Sequence, residues 1–334
     1  MLQTVTLYPL RFETIFKEKL WGGQKIKTML NKDFGTLANC GETWEISGVD
    51  GNISVVREGN LAGKTLVELI QEFKGDLLGK QVYERFGEEF PLLVKFIDAN
   101  DDLSIQVHPD DELAKERHDS FGKTEMWYIF QADEGSKLIA GFNQPVDKAS
   151  YQQHFEEGKL MDILNQEAVN ADDVYFLPAG RVHTIGKGLL LAEIQQTSDI
   201  TYRIYDFDRR DSEGNLRELH VEQALDAIDY NHYPEYKTAY DHAPEQGVNL
   251  VSCPYFVTNR LNFSEPSTRD YSALDSFVIY VCVEGSLTLK FEEGSVEIAK
   301  GDAYLLPATI DSVELIPHES YKMLEAWVPA PTDE

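Results

Sequence analysis

Apolar and polar positions alternate without a break along LSIQVHPDD, Leu103 to Asp111. Leu103, Ile105 and Val107 share one parity, and Ser104, Gln106 and His108 share the other. A strand sends successive side chains to opposite faces, so this segment predicts one oily face and one row of hydroxyl, amide and imidazole. Most of the chain reads likewise as short strands punctuated by turn residues. Helical stripes are few. Thr65 to Phe73 opens with a capping box, Thr65 with Glu68, and places Leu66, Leu69, Ile70 and Phe73 on one side. Tyr151 to Gln166 has helical composition and predicts two short helices broken at Gly158. Val221, Ala224, Leu225 and Ile228 form a last stripe, within a closing helix near 220–229. Residues 231–247, NHYPEYKTAYDHAPEQG, hold two prolines and no apolar period, which predicts a linker.

Two segments recur. DDVYFLPAGRVH (172–183) echoes GDAYLLPATIDS (301–312) at an offset of 129 residues, and DEGSKLIAGF (133–142) echoes VEGSLTLKFE (283–292) at an offset of 150. The 21-residue difference fits an insertion in the first copy, where the Tyr151–Gln166 helices fall. The reading is two related β-units, 1–235 and 236–334, with helical insertions at about 64–86 and 147–168 in the first. The copies differ where His183 of the first meets Ser312 of the second, and the second has no counterpart of QVH. The order EGS, strands, GD-x-x-x-x-P-A resembles the cupin pattern. It implies a mainly β fold of two cupin-type β-barrels (jelly rolls), the first enlarged by helices.

Composition narrows the function. The 334 residues carry a formal charge of −28, from 58 acidic against 30 basic side chains, which disfavours nucleic acid and anionic membrane as partners. An anionic small ligand would need local cations to overcome that background. Cys40, Cys253 and Cys282 lie far apart, an odd number without CxxC spacing, and read as quiet thiols of a reducing compartment. Met1–Leu20 has no apolar signal-like run and no stretch of 18 apolar residues occurs, so the expected location is cytoplasmic.

The polar row then matters. In GKTEMWYIF, Lys123, Glu125 and Trp127 share a parity, and in GRVHTIG so do Arg181, His183 and Ile185. If these strands line one barrel, Gln106, His108, Glu125 and His183 converge. Two imidazoles, a carboxylate and an amide oxygen suit zinc, and also iron or manganese.

LSIQVHPDD, GKTEMWY, LPAGRVHTIG and QQTSDITYRIYDFDR, in this order, resemble the type I mannose-6-phosphate isomerases in their short bacterial form. WGG (21–23) and GETWEIS (41–47) extend the likeness through most of residues 1–235. The resemblance implies one zinc per chain held by His108, Glu125 and His183, with Gln106 matching a fourth ligand of longer members. It implies an active-site arginine at Arg203 and a phosphate-binding position at Ser104. Longer members have Lys-Pro-Glu where this chain has Lys123-Thr124-Glu125, a departure that touches loop rigidity. The implied reaction interconverts mannose 6-phosphate and fructose 6-phosphate through a cis-enediol, which needs a base, an electrophile and a grip on phosphate. Arginine stays protonated, so Arg203 would stabilise charge or orient substrate. Asp199 and Lys123 are the candidate bases, with a metal-held hydroxide as a third option. Arg209 or Arg210 would supply charge for the phosphate. The expected partner is a small sugar phosphate, and the expected assembly a monomer or weak homo-oligomer. A metal-dependent cupin dioxygenase and a non-catalytic sugar-binding cupin are the rival readings.

Overall fold

The computed structural model describes residues 6–211 and 213–331. The first unit contributes β1 Ile15–Lys17, β2 Glu42–Ile46, β3 Leu92–Ala99, β4 Ile105–Val107, β5 Glu125–Ala132, β6 Lys137–Phe142, β7 Leu164–Ala168, β8 Val174–Leu177, β9 His183–Ile185, β10 Leu189–Gln196 and β11 Tyr202–Tyr205. The second contributes β12 Gln246–Ser252, β13 Val257–Phe263, β14 Ser267–Asp270, β15 Val278–Glu284, β16 Ser286–Phe291, β17 Gly294–Ala299, β18 Ala303–Leu306, β19 Ser312–Pro317 and β20 Tyr321–Trp327. The helices are α1 Lys25–Leu30, α2 Leu66–Phe73, α3 Gly75–Leu78, α4 Lys80–Phe86, α5 Asp111–His118, α6 Lys148–Glu156, α7 Leu160–Ile163 and α8 Val221–Ala227. Among the described residues no helix is long and apolar enough to cross a membrane.

Sheet order carries the repeat further than the sequence echo. The first unit has sheets β1-β2-β3-β10-β5-β8 and β11-β4-β9-β6-β7, and the second has β12-β13-β20-β15-β18 and β14-β19-β16-β17. Strands β2 to β10 follow the same order as the strands ten places later, with β1 and β11 added at the outer edges beside β2 and β4. The two sequence echoes fall on β8 with β18 and β6 with β16. In each unit the paired sheets face one another across an apolar interior. Ile97, Trp127, Leu189 and Leu191 meet Leu138, Ala140 and Ile185 in the first, and Tyr280, Met323 and Leu306 meet Leu287, Leu289 and Leu315 in the second.

β10, LLLAEIQQ, shows why some strands read as unbroken apolar runs. Its odd-numbered residues Leu189 and Leu191 face the interior of the first unit, while Leu190, Ala192 and Ile194 enter a core shared with the second. That shared core joins Val94, Phe96 and Tyr128 to Ile279, Val281, Leu305 and Leu324, and takes in Leu66, Leu69 and Ile70 of α2. At the seam Gly79 adopts φ +91, and a Cβ there would lie 2.4 Å from the Asp275 carbonyl oxygen. The Asp275 carboxylate accepts the Lys80 and Gln81 amides at 2.7 and 3.0 Å, capping α4 from the second unit.

The capping box forms at α2: Thr65 Oγ1 accepts the Glu68 amide at 3.2 Å and Glu68 accepts the Thr65 amide at 2.7 Å. The segment Tyr151–Gln166 differs from its expectation. α6 starts earlier, Gly158 breaks the helix at φ +69, and α7 stops at Ile163. Leu164–Ala168 is instead a strand, because β6 offers it an edge, Lys137 pairing with Ala168 and Phe142 with Leu164. Helices α6, α7 and α8 bury Tyr151, Leu160, Ile163, Ala224 and Leu225 against Ile105, Val107, Val182 and Ile204. The five-stranded sheet is therefore covered on both sides. Its counterpart in the second unit alternates, with Val313 and Leu315 buried and Ser312 and Glu314 exposed. The 231–247 segment has no regular element before β12, yet it is tied down: Tyr236 Oη donates to the Phe142 carbonyl at 2.8 Å.

Candidate active site and metal centre

Strand register builds the polar row. Arg203 on β11 pairs with Gln106 on β4, and Gln106 pairs with His183 on β9, so the three share one face across adjacent strands. His108 continues the row just past the end of β4. From the opposite sheet, β5 begins at Glu125, and on β10 Glu193 sits between Lys95 of β3 and Trp127 of β5. Thr124, the departure from Lys-Pro-Glu, is pinned from both sides: its amide donates to Gln196 at 2.8 Å and its hydroxyl accepts the Ala179 amide at 3.1 Å. Hydrogen bonds thus hold the segment where a proline is absent.

His108, Glu125 and His183 meet between the two sheets, each almost fully buried, with one candidate ligand atom apiece lying within 4.8 Å of the others. Glu125 Oε1 is 3.3 Å from His183 Nε2, and Oε2 is 3.6 Å from His108 Nε2. Both imidazoles are oriented from behind. Nδ1 of His108 lies 2.8 Å from the Ile200 carbonyl oxygen, and Nδ1 of His183 lies 2.7 Å from that of Arg181. With a proton on each Nδ1, both Nε2 lone pairs point at Glu125. Burial, reinforced by the Lys123 charge, holds His108 well below the usual imidazole range. Burial likewise lowers His183 to about 4. Burial, with Glu193 nearby, raises Glu125 to about 7. Neither Glu125 oxygen accepts a hydrogen bond of ordinary geometry, although Lys123 Nζ lies 3.0 Å from Oε2. A buried carboxylate that one ammonium pairs on one oxygen, standing between two neutral imidazole lone pairs, is a donor set suited to a divalent cation. Gln106 stands beside it, its Nε2 at 3.3 Å from His183 Nε2. An amide flip presents Oε1 instead.

On the far side of Gln106 and Lys123 from this cluster opens a cavity of about 330 Å³. Lys19, Lys95, Lys123, Arg203 and Arg217 line it against Glu42, Glu193 and Asp199, five cations to three anions. This is the local positive excess that a chain of charge −28 needs to hold an anion. Its acids are held in place: Lys95 Nζ is 3.1 Å from Glu193, Trp127 Nε1 donates to Glu193 at 2.8 Å, and Trp44 Nε1 donates to Glu42 at 2.8 Å. Burial would raise Glu42, but Lys95 and Lys19 outweigh it and lower its carboxyl to about 2.

Ser104, Gln106, Lys123, Asp199 and Arg203 all line this cavity. Arg203 Nη1 donates to the Glu218 carbonyl at 2.7 Å. Arg210, the alternative expected cation, lies outside the cavity with its Nη1 donating to the Gly214 carbonyl oxygen at 2.6 Å. Arg209 lies outside it too. Its Nη2 donates to Asp206 and its Nη1 to the Asp102 carbonyl oxygen, both at 2.6 Å, so its guanidinium is committed elsewhere. Sequence reasoning missed Lys19, Glu42, Lys95, Glu193 and Arg217. One signal was available for Glu193: it is the single charge inside the apolar run of β10.

Residues 10–136 match the family described as phosphomannose isomerase type I, catalytic domain, and residues 247–318 match the mannose-6-phosphate isomerase cupin domain. A mannose-6-phosphate isomerase of Bacillus subtilis (strain 168) is 36% identical over 93% of this chain and 96% of its own. The chain belongs to the type I phosphomannose isomerase family. A second relative, the mannose-6-phosphate isomerase of Streptococcus mutans serotype c, is 36% identical over 91% of this chain and 94% of its own. The crystal structure of the mannose 6-phosphate isomerase from Bacillus subtilis superposes with a TM-score of 0.85 at 32% identity, covering 95% of this chain and 99% of that one. The catalytic-domain match of this type I isomerase carries His108 and Glu125. His183 and Arg203 lie beyond it, within the full-length likeness.

Proposed function

We propose that this chain interconverts mannose 6-phosphate and fructose 6-phosphate, with one zinc ion held by His108, Glu125, His183 and the Gln106 amide oxygen. Membership of the family supports the reaction. The observation that carries the site is the buried Glu125 carboxylate between two imidazoles, paired only with the Lys123 ammonium and lying behind Gln106 and Lys123, which line a cavity with surplus positive charge. The oxygen and nitrogen donors and the full burial fit zinc. When bound, zinc supplies Lewis-acid polarisation of the sugar carbonyl without redox change.

The remaining roles belong to side chains. Asp199 is exposed within the cavity and takes the proton that moves between C1 and C2 through a cis-enediol. Lys123 is fixed between the cavity and the cluster, its Nζ 3.1 Å from His108 Nε2 and 3.0 Å from Glu125, and steadies negative charge on the reacting oxygens. Arg203, in register with Gln106 and His183, faces the same oxygens as a fixed cation. Ser104, buried in the cavity wall, donates to the substrate.

Running the reaction in D2O tests the proton-transfer step. Deuterium should appear at C1 of fructose 6-phosphate formed from mannose 6-phosphate, and Asp199→Asn should slow both exchange and turnover. Product formed with no solvent deuterium would replace proton transfer with a direct hydride shift.

A further inference from the structure

We propose that Asp206 is a positioning residue that presents Arg217 to the substrate phosphate at the cavity mouth. The inference rests on the sugar-phosphate reading above and deepens it. The chain leaves β11 at Tyr205 and turns at once: the Arg209 amide donates to the Asp206 carbonyl at 3.1 Å, and Phe207 and Asp208 both take left-handed φ, 54° and 53°. Two consecutive left-handed central residues make a type I′ turn, which is strained for a residue as large as phenylalanine. The turn leaves the Asp206 carboxylate only 5% exposed, between two arginines.

Those arginines are used differently. Arg217 Nε donates to Asp206 Oδ2 at 2.7 Å and its Nη2 to Oδ1, a two-point grip along one edge of the guanidinium. A guanidinium has a second donor edge, at Nη1 and the other Nη2 hydrogen, and Arg217 lines the cavity. Arg209 takes Asp206 from the other side, spends its Nη1 on the Asp102 carbonyl oxygen and does not line the cavity, so it braces the turn. The residues just after Arg217 also hold Arg203: the Arg203 side chain donates to the Glu218 carbonyl at 2.7 Å, and the His220 amide donates to the Arg203 carbonyl at 2.7 Å. A grip on phosphate at Arg217 therefore sits on the same short stretch of chain that orients the arginine near the reacting carbons. A lysine, a point charge, could not be held on one edge while binding on the other.

The test compares Arg217→Ala and Asp206→Asn with the wild-type protein, using mannose 6-phosphate turnover and, separately, calorimetric binding of inorganic phosphate. Loss of a charge-assisted contact predicts that Arg217→Ala raises KM and weakens phosphate binding by about 10- to 100-fold, with kcat changed little. Asp206→Asn keeps the arginine but loosens its hold, so it should shift both quantities the same way by a smaller factor. Arg217→Lys should recover only part of the loss. Arg209 still pairs with Asp206 when Arg217 is replaced, and a denaturant titration of the variant checks that the fold is kept before binding is read. Unchanged KM and phosphate binding in Arg217→Ala would overturn the proposal, as would a fall in kcat with KM and phosphate binding intact. Wild-type protein that binds phosphate through Arg217 but isomerises no sugar phosphate would sink the functional reading and leave the anion site standing.

Discussion

The two β-units place an acid in the same slot and put it to different use. Glu193 on β10 pairs with Lys95 on one side and Trp127 on the other; Glu325 on β20 pairs with Asn259 and Tyr280. In the second unit the acid is fully enclosed. Arg269 donates to both Glu325 oxygens at 2.8 Å, Tyr271 donates at 2.6 Å and Asn259 at 3.0 Å. In the first unit Lys95 and Trp127 hold Glu193, and a cavity of about 330 Å³ opens beside it. The connection from β4 to β5 also differs from its counterpart, β14 to β15. Residues 108–124 carry His108, α5 and Lys123, whereas 271–277 form a short link that turns Tyr271 inward. Where β9 presents His183, β19 buries Val313 and Leu315, and Ser312 is exposed. Topology alone therefore does not make a His-Glu-His cluster. It requires polar side chains at three inward positions and a connection long enough to bring a fourth group over them.

The comparison can be broken at several points. His183→Ala should lose bound metal and at least about 10³-fold in turnover, since an electrophile worth several kcal/mol goes with it. Ser312→Ala, at the echoed position, should change neither, and equal losses at both positions would erase the distinction between the units. Arg203→Ala should lower kcat by about 10²- to 10³-fold while metal per chain stays at the wild-type value; metal loss would make Arg203 a support of the ligands. Arg269→Ala should leave kcat of the folded protein alone but reduce unfolding free energy by about 3–5 kcal/mol, because Glu325 is left buried without its cation. Denaturant titration beside steady-state kinetics reads both. The smallest effect concerns acid. Glu42, 13% exposed, has its carboxyl lowered from 4.5 to about 2 by Lys95 and Lys19 against burial. A depressed carboxyl adds stability that is present above about pH 4.5 and lost as pH falls toward 2, here at most about 3 kcal/mol. Glu42→Gln should flatten the stability curve in that window, and an unchanged slope would assign acid sensitivity to other groups.

Local signals were legible where one residue type has one physical use. The Thr65–Glu68 box marked α2, the alternation at 103–108 marked the polar row, and the paired echoes marked β6, β8, β16 and β18. Signals that depend on a partner strand were not. LNQEA lacks β-forming composition and becomes β7 because β6 offers an edge. α5 buries only Ala114, so no apolar stripe announces it, although Asp110 caps it through the Leu113 amide at 2.9 Å. The Lys95–Glu193 pair exists only through the β3–β10 register. The exchange of Arg217 for Arg209 at the cavity follows from a turn with two left-handed residues, which DFDRR does not advertise.

Zinc stoichiometry and isomerase activity, followed together through chelation and reconstitution, test the central claim most directly. Stripped protein should lose mannose 6-phosphate turnover and regain it in proportion to added zinc, levelling off at one ion per chain, while the His183→Ala variant should recover nothing. Full turnover after stripping, or recovery in the variant equal to that of the wild type, would contradict a metal centre built from His108, Glu125 and His183.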